Sequence, residues 1–376
     1  MTAADTVVVG GGVIGASIAW RAAQRGLSVT MVDPSPGRGA SWAAAGMLAP
    51  VTEVHYGEEA LLELNLTSGA SYRQFVAELS DASGRDPGYV ECGTLTVARD
   101  ADDNAALESL FEFQRGLGLN VERLRGRECR RLEPALAPST RGGILVSDDH
   151  QVDNRALVDA LLTACERGGV HIVRRRAAGL ELEHERVVAV RLADGEGIGC
   201  SSVVLAAGAS PASIDGLPPG VAPPVRPVKG QLLHLRGPAE ARLATRNVRG
   251  LDAYIVTRPD GRVVIGATVE ERGFDERVTA GGVHDLLRAG FELLPGVTEL
   301  ELIETSVGLR PGTPDNAPIL GKTEVEGLVI ATGHYRNGVL LTPITSAAIA
   351  ELLVTGETPK LIEAFSPRRF SKERVA

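Results

Sequence analysis

Three glycines and one aspartate near the start of the chain carry its first chemistry. Gly10, Gly12 and Gly15 stand in the spacing GxGxxG, with Val13 and Ile14 inside it, and Asp33 follows 18 residues after Gly15. Before them, Thr6-Val7-Val8-Val9 is an apolar, β-branched run, the pattern of a strand buried on both faces. After them, residues 16–25 read as a helix rich in small side chains, and residues 27–32 as a second strand that ends at Asp33. Each residue type has a physical task. Gly10 permits a sharp turn, Gly12 lets backbone approach a pyrophosphate, and Gly15 lets helix and strand touch. A helix N-terminus there offers unpaired N–H groups to phosphate. A carboxylate at Asp33 can accept both hydroxyls of a ribose. The order implies a dinucleotide site. The alternatives are a glycine-rich turn in another α/β fold and, for Asp33, a helix N-cap. The fingerprint does not separate NAD from FAD. Ser41-Trp42-Ala43-Ala44-Ala45-Gly46-Met47 bears on that choice. Small residues let a backbone segment lie against a flat ring, whereas an NAD enzyme more often carries a surface helix in this region.

Other chemistries lack their residues. The seven histidines form no HxxxH or HExxH, so no metal site is expected. Cys92, Cys129, Cys165 and Cys200 are far apart and form no CxxC, which reads as a reduced cytoplasmic protein. The net charge of −9 opposes a nucleic-acid partner, which needs an excess of Lys and Arg. The run Arg174-Arg175-Arg176 reads as a solvated strand face. No apolar run reaches the roughly 18 residues that span a bilayer. The first residues have no basic region before the apolar stretch, so no secretory leader is expected. Glycine is 44 of 376 residues, about 12% against a typical value near 7%, while aromatics are only 4%. That balance suits tight turns and close backbone approach rather than an aromatic-rich binding module.

The elements that must hold these groups follow from periodicity. Residues 61–79 and 101–117 read as helices, and 87–97 as one alternating strand. Residues 123–141, rich in Arg and Pro, read as a connector. Gln151-Val152-Asp153 introduces a helix at 154–167, stopped by Gly168-Gly169. Strands are expected at 170–173, 187–192 and 202–205, the last ending at Ala206-Ala207-Gly208. After a proline-rich crossing at 215–227, antiparallel strands are expected at 230–235, 253–258 and 262–267, with Pro259-Asp260-Gly261 as a hairpin turn. A helix at 283–294, a strand at 300–309 and a buried strand at 327–333 follow. The last helix runs to about 353 and requires Pro343 in its first turn. The layout is α/β (α+β overall). Residues 1–84, 146–216 and 306–376 would form a discontinuous Rossmann-like domain. Residues 85–145 and 217–305 would form an inserted, mainly antiparallel substrate domain.

Five segments carry a family. They are Val9-Gly10-Gly11-Gly12-Val13-Ile14-Gly15; Ala43-Ala44-Ala45-Gly46-Met47; Tyr254-Ile255-Val256 with Val264-Ile265-Gly266-Ala267-Thr268; Gly308-Leu309-Arg310-Pro311-Gly312-Thr313-Pro314-Asp315; and Gly333-His334-Tyr335-Arg336-Asn337-Gly338. On these the chain resembles, from end to end, the FAD-dependent D-amino acid oxidase family, nearest the glycine oxidases of bacterial thiamine biosynthesis. The resemblance implies Arg310 paired with a substrate carboxylate, Tyr254 adding its hydroxyl, and Arg336 bordering the site near the flavin. It implies Gly46 and Met47 at the flavin ring, with Ser41, Ala44 and Ala45 in the same segment. It implies backbone from Ala178 on the adenine side and closure by Ala206, Ala207 and Gly208. Further cofactor contacts are implied at Gly308, Arg310, His334, Arg336, Asn337, Gly338, Val339 and Leu340. Related sarcosine oxidases link flavin through a cysteine near the stretch matching Leu309-Arg310-Pro311. None stands there, so FAD is expected to be non-covalent. The residue chemistry agrees, because a planar guanidinium binds a carboxylate bidentately. Read without the family, Arg310 could form a surface salt bridge and Tyr254 could be a packing residue.

The implied reaction is hydride transfer from Cα of glycine, sarcosine or a small D-amino acid to flavin N5, with O₂ reduced to H₂O₂. The N-terminus of the last helix would face the edge of the ring where negative charge collects. Hydride transfer needs only a neutral amine, so no base is required, and His334 reads as structural. Three departures bear on substrate range and oxygen reactivity. Gly208-Ala209-Ser210-Pro211 lacks a tryptophan, Val269 replaces a methionine and Asp252 a histidine. The alternatives are an FAD-dependent dehydrogenase of D-amino acids or sarcosine with an acceptor other than O₂, a non-catalytic flavin-binding protein, and an NAD dehydrogenase. The resemblance also implies a homo-oligomer, a tetramer by analogy, with no nucleic-acid or membrane partner.

Overall fold

The computed structural model describes residues 4–211 and 214–370. Its first sheet is built on β-branched runs. The strand Ala4–Val9 pairs in parallel with Val29–Val32 on one side and Gly197–Leu205 on the other. His171–Val173 and Leu328–Thr332 extend the parallel core. Alternate residues face opposite layers. Val8, Met31, Val204 and Val329 pack against the helices Val13–Gln24, Asn154–Arg167 and Thr342–Thr355. Val7, Val9, Val32, Val203 and Leu205 pack against the meander of Ala177–Glu183 and Arg186–Leu192. Two apolar faces explain why the strands read as continuous hydrophobic runs rather than alternating ones. Gly197–Leu205 serves both parts: its first half pairs antiparallel with Arg186–Leu192, its second half in parallel with Ala4–Val9.

The second sheet runs in the order Glu301–Gly312, Arg226–Arg236, Arg262–Gly266, Tyr254–Thr257, Asn247–Arg249, Thr94–Ala98, Gly142–Val146, Glu122–Arg125. The helix Ala280–Leu293 packs on it through Leu286 and Leu293. A third, three-stranded sheet joins Met47–Leu48, His150–Val152 and Tyr89–Val90.

Several expectations are corrected. Residues 123–141 are not a plain connector, since they share the strand Glu122–Arg125 and hold the helix Gly126–Leu132. Charge hides both: Arg123 donates to Glu108, Asn104 and the Gly143 carbonyl, partners invisible to local pattern. The single strand at 87–97 is two strands in different sheets, Tyr89–Val90 and Thr94–Ala98, separated by Gly93 at φ +73. Arg174, Arg175 and Arg176 lie just past the strand His171–Val173, and Arg175 pairs with Asp194 and Glu196. Pro343 does sit in the first turn of its helix.

Candidate active site

A cavity of about 950 Å³ lies between the ends of the first sheet and one face of the second. That is the upper end of the usual size for small-molecule sites, roughly 300–1,000 Å³. One end of it is made of backbone. Gly10 has φ +108, and a side chain there would fall on the Ala206 carbonyl. Gly15 lies against the Gly10 carbonyl, so helix and strand touch. Gly12 caps the helix Val13–Gln24 with no side-chain hydrogen bond, and its first turn holds no acid. Val13 N–H donates to Ser41 Oγ at 3.0 Å. Among the described residues no acceptor meets the N–H of Gly12 or Ile14. Unpaired amides at the positive end of a helix form an anion site. Behind it, the Asp33 carboxylate accepts from Gly11 N–H and Ser35 N–H, each at 2.7 Å.

The segment 41–47 is braced from its back. Asn154 Nδ2 donates to the Ser41 and Trp42 carbonyls at 2.9 Å each. Buried Arg258 donates to the Ala45 carbonyl at 2.6 Å and to Gln151 Oε1 at 2.7 Å. Burial pushes that guanidinium down to about 10. Gly46 has φ +76 and lies against the Val152 carbonyl, which leaves no room for a side chain. The other face of the segment is left to the cavity. A second set of amides borders the same space. Val339 and Leu340 N–H have no acceptor among the described residues, and they precede the helix Thr342–Thr355. His334 is buried, with Nε2 3.1 Å from Thr345 Oγ1. Burial pushes its pKa down to about 3, so the ring is neutral.

The opposite wall carries the charged groups. Arg310, on the strand Glu301–Gly312, donates from Nη1 to the Thr268 carbonyl at 3.1 Å. Its guanidinium lies over Gly230 on the neighbouring strand, where any side chain would collide with it. Tyr254 lies over Gly266 in the same way. Two glycines on adjacent strands thus seat the two side chains beside each other. Burial raises the Tyr254 pKa, while Arg310 and Arg249 pull it back. No described carboxylate pairs with Arg310.

Farther along, Arg249 pairs with Glu53. Burial pushes Arg249 down to about 10. Arg336 donates from Nη2 to Glu58 Oε2 at 2.6 Å. Its Nε lies 3.2 Å from Glu53 Oε2 without hydrogen-bond geometry. His55 completes this corner, its pKa lowered by burial and then by Arg336.

Most residues expected from the sequence meet in this one space. Gly12, Val13, Ile14, Ser41, Ala44, Ala45, Gly46, Met47 and Gly208 line it. So do Tyr254, Gly308, Arg310, His334, Arg336, Asn337, Gly338 and Val339. Gly10, Gly15, Asp33 and Ala207 stand outside the lining, as does Ala178, whose carbonyl accepts from Asp215 N–H at 2.9 Å. Leu340 turns its side chain into the core. Glu53, His55 and Arg249 also line the cavity and belong to no motif. Glu53 and Arg249 are 196 residues apart, so only the fold joins them. Among the described residues, no cluster of three or more His, Cys, Asp or Glu could hold a metal ion. No described helix is long and apolar enough to cross a membrane.

Residues 5–352 match the DAO family model, described as FAD dependent oxidoreductase. The chain is 36% identical over 376 residues to the bifunctional protein ThiO/ThiG of Synechocystis sp., covering 98% of this chain and 54% of that protein. It therefore spans about half the length of those bifunctional relatives. It is 34% identical to the glycine oxidase of Geobacillus kaustophilus, covering 97% of each. The crystal structure of that oxidase superposes with a TM-score of 0.91, covering 98% of this chain and 99% of that one. The iminodiacetate oxidase of Chelativorans sp. superposes with a TM-score of 0.87 at 31% identity, covering 96% of this chain and 98% of that one.

Proposed function

Because the chain belongs to the DAO family of FAD-dependent oxidoreductases, we propose that it oxidises glycine and other small amines that carry a carboxylate beside the reacting carbon, and that O₂ is the electron acceptor. The observation that carries this reading is the pairing of opposite ends in one cavity. Amides with no acceptor among the described residues stand at one end, and a guanidinium with no described carboxylate partner stands beside a phenol at the other. The residues fit FAD. The amides of Gly12 and Ile14 suit its pyrophosphate, and Asp33 suits its ribose. The braced segment 41–47 suits its ring, and the amides of Val339 and Leu340 suit the edge that becomes negative on reduction. Bound FAD supplies the two-electron acceptor for the substrate C–H bond and returns those electrons to O₂.

The chain's own task is position. Arg310 holds the substrate carboxylate in its fork and Tyr254 donates its hydroxyl to the same group. Fixing one end of so small a molecule fixes the direction of its Cα–H bond. His334, neutral and engaged with Thr345, holds the turn that leads into the last helix and takes no proton from substrate. The proposal includes the division into a cofactor region (1–84, 146–216, 306–376) and a substrate region (85–145, 217–305). The four cysteines are free thiols, which fits a reducing cytoplasm. A homotetramer is proposed from family analogy, and likeness to the ThiO/ThiG proteins supports a role in supplying the glycine imine for thiazole formation.

An anaerobic titration of the holoprotein with glycine, sarcosine and D-alanine tests the reading. Bleaching of the flavin band, then recovery with one peroxide per turnover in air, is expected. Bleaching without peroxide would point to a dehydrogenase. No bleaching with any small amine would overturn the reading.

A further inference from the structure

Three guanidinium groups and two carboxylates stand in an unbroken row along the substrate wall. Arg310 and Arg249 both act on Tyr254, and Arg249 stands opposite Tyr254 on the neighbouring strand. Arg249 pairs with Glu53, and Glu53 in turn lies 3.2 Å from Arg336 Nε. Arg336 Nη2 donates to Glu58 Oε2 at 2.6 Å, and Asn316 Nδ2 holds the other oxygen of Glu58 at 2.8 Å. Glu53, Arg249, Tyr254, Arg310 and Arg336 all line the cavity. The row sums to +3 − 2 = +1, counting Arg249, Arg310, Arg336, Glu53 and Glu58. The surplus sits on Arg310, the one member with no described carboxylate. Such a wall stabilises one carboxylate. A second would lie beside Glu53 with no uncompensated cation of the row to receive it, and the cavity's other guanidinium, Arg288, is exposed and lies 4.0 Å from Glu292.

Glu53 has a singular place in the row, because it alone touches two guanidiniums. We propose that Glu53 is a specificity residue: by cancelling Arg249 and Arg336 it leaves Arg310 as the only uncompensated cation of this row, and so restricts the site to amines with a single carboxylate. The inference rests on the reading that Arg310 binds a substrate carboxylate. Replacing Glu53 by neutral Gln would raise the row to +2 and leave Arg249 buried without its counter-charge. A second carboxylate on the ligand would then take the place that Glu53 vacates.

The test uses holoenzyme and matched ligands that differ by one carboxylate. Acetate and malonate binding is followed by the flavin spectrum. Turnover is compared for sarcosine against iminodiacetate. Wild type should prefer acetate and sarcosine. In E53Q both preferences should move toward the dicarboxylate by about tenfold or more. The double variant E53Q/R249M should move back. A shift under about threefold in E53Q, or a wild type that takes malonate as readily as acetate, overturns the proposal. Should E53Q fail to yield folded holoenzyme, R249M carries the test in the opposite direction. It leaves the row at zero, so acetate should weaken by about tenfold, and unchanged acetate affinity overturns the proposal. Failure of the oxidase reading looks different: the wild-type flavin would bleach with no amine yet still bind acetate over malonate.

Discussion

At the scale of single residues, the roles proposed for Arg310 and Tyr254 differ in size. Arg310 is partly buried and has no carboxylate partner among the described residues, so on its proposed role its removal would take a charge partner from a desolvated substrate carboxylate. Losses of that kind are about 2–5 kcal/mol, or roughly 30-fold to several thousand-fold. Tyr254 offers one hydrogen bond to a charged group, worth about 1.5–3 kcal/mol. R310M should therefore lower kcat/KM for glycine by a larger factor than Y254F. R310K should resemble R310M, because an ammonium lacks the fork and the Gly230 seat is shaped for a planar group. Steady-state kinetics with glycine check the order, and a Y254F loss exceeding that of R310M would contradict it. His334 gives a second expectation. Its folded pKa is about 3, against an ordinary 6.5, and burial is the cause. The folded ring takes no proton where the unfolded ring does, so this residue's contribution to stability is lost as pH falls below 6.5. H334N should melt with less loss between pH 7 and 5 than wild type, by calorimetry. The shape of its kcat/KM profile should not change, since the ring is neutral throughout the working range.

The elements impose their own limits, and the two glycines at the first helix separate them. Gly15 faces the Gly10 carbonyl, a backbone atom that cannot move aside. At Gly12 a Cβ would come 2.9 Å from Ser41 Oγ, the end of a side chain that can rotate. Gly12 has φ −72, which alanine adopts freely. G12A should thus fold and lose FAD affinity, because the added methyl would stand where the proposed site brings backbone against the pyrophosphate. G15A should lose both, because helix and strand can no longer touch. Circular dichroism separates fold from FAD titration. A G12A protein with unaltered FAD affinity would mean that the pyrophosphate lies elsewhere. This motif was legible because every part of it is local: strand, turn, helix and strand follow within thirty residues. The strand Ala177–Glu183 was not. It starts Ala-Ala-Gly and ends with exposed glutamates, so its only signal is the pairing with Arg186–Leu192. The helix Gly126–Leu132 was hidden for a similar reason. Nearby, buried Glu133 is satisfied by Thr245 and Arg246, more than a hundred residues away, and a local pattern reads such charge as solvated loop.

Across the whole molecule, the cavity is where distant parts of the chain meet. The first sheet brings Gly12 and Ala206, the last helix brings Val339, and the second sheet brings Tyr254 and Arg310. Spacing alone marked Gly12, and the family resemblance was what led Tyr254, Arg310 and Val339 to be expected at the same site. The charge row was beyond it, because Glu53, Arg249 and Arg336 are spread over most of the chain and only packing sets their partners. Held in this cavity as proposed, FAD would bridge the two sheets as well as react. A ligand that binds only the folded state stabilises it by about 2.7 kcal/mol at a hundredfold excess over Kd. Stripping the flavin should lower Tm by several degrees, and re-adding FAD should restore it in proportion to the logarithm of its concentration. Hydrogen exchange shows where that stability resides. If the cofactor only filled a groove in the first sheet, protection would fall at 10–15 and 338–340 alone. Because the segment 41–47 is tied both to Asn154 on the first side and to Arg258 on the second, protection should also fall around 254–258 and 308–311. An apoprotein that loosens on one side only would show that the two sheets are held together by their own contacts, without the cofactor's help.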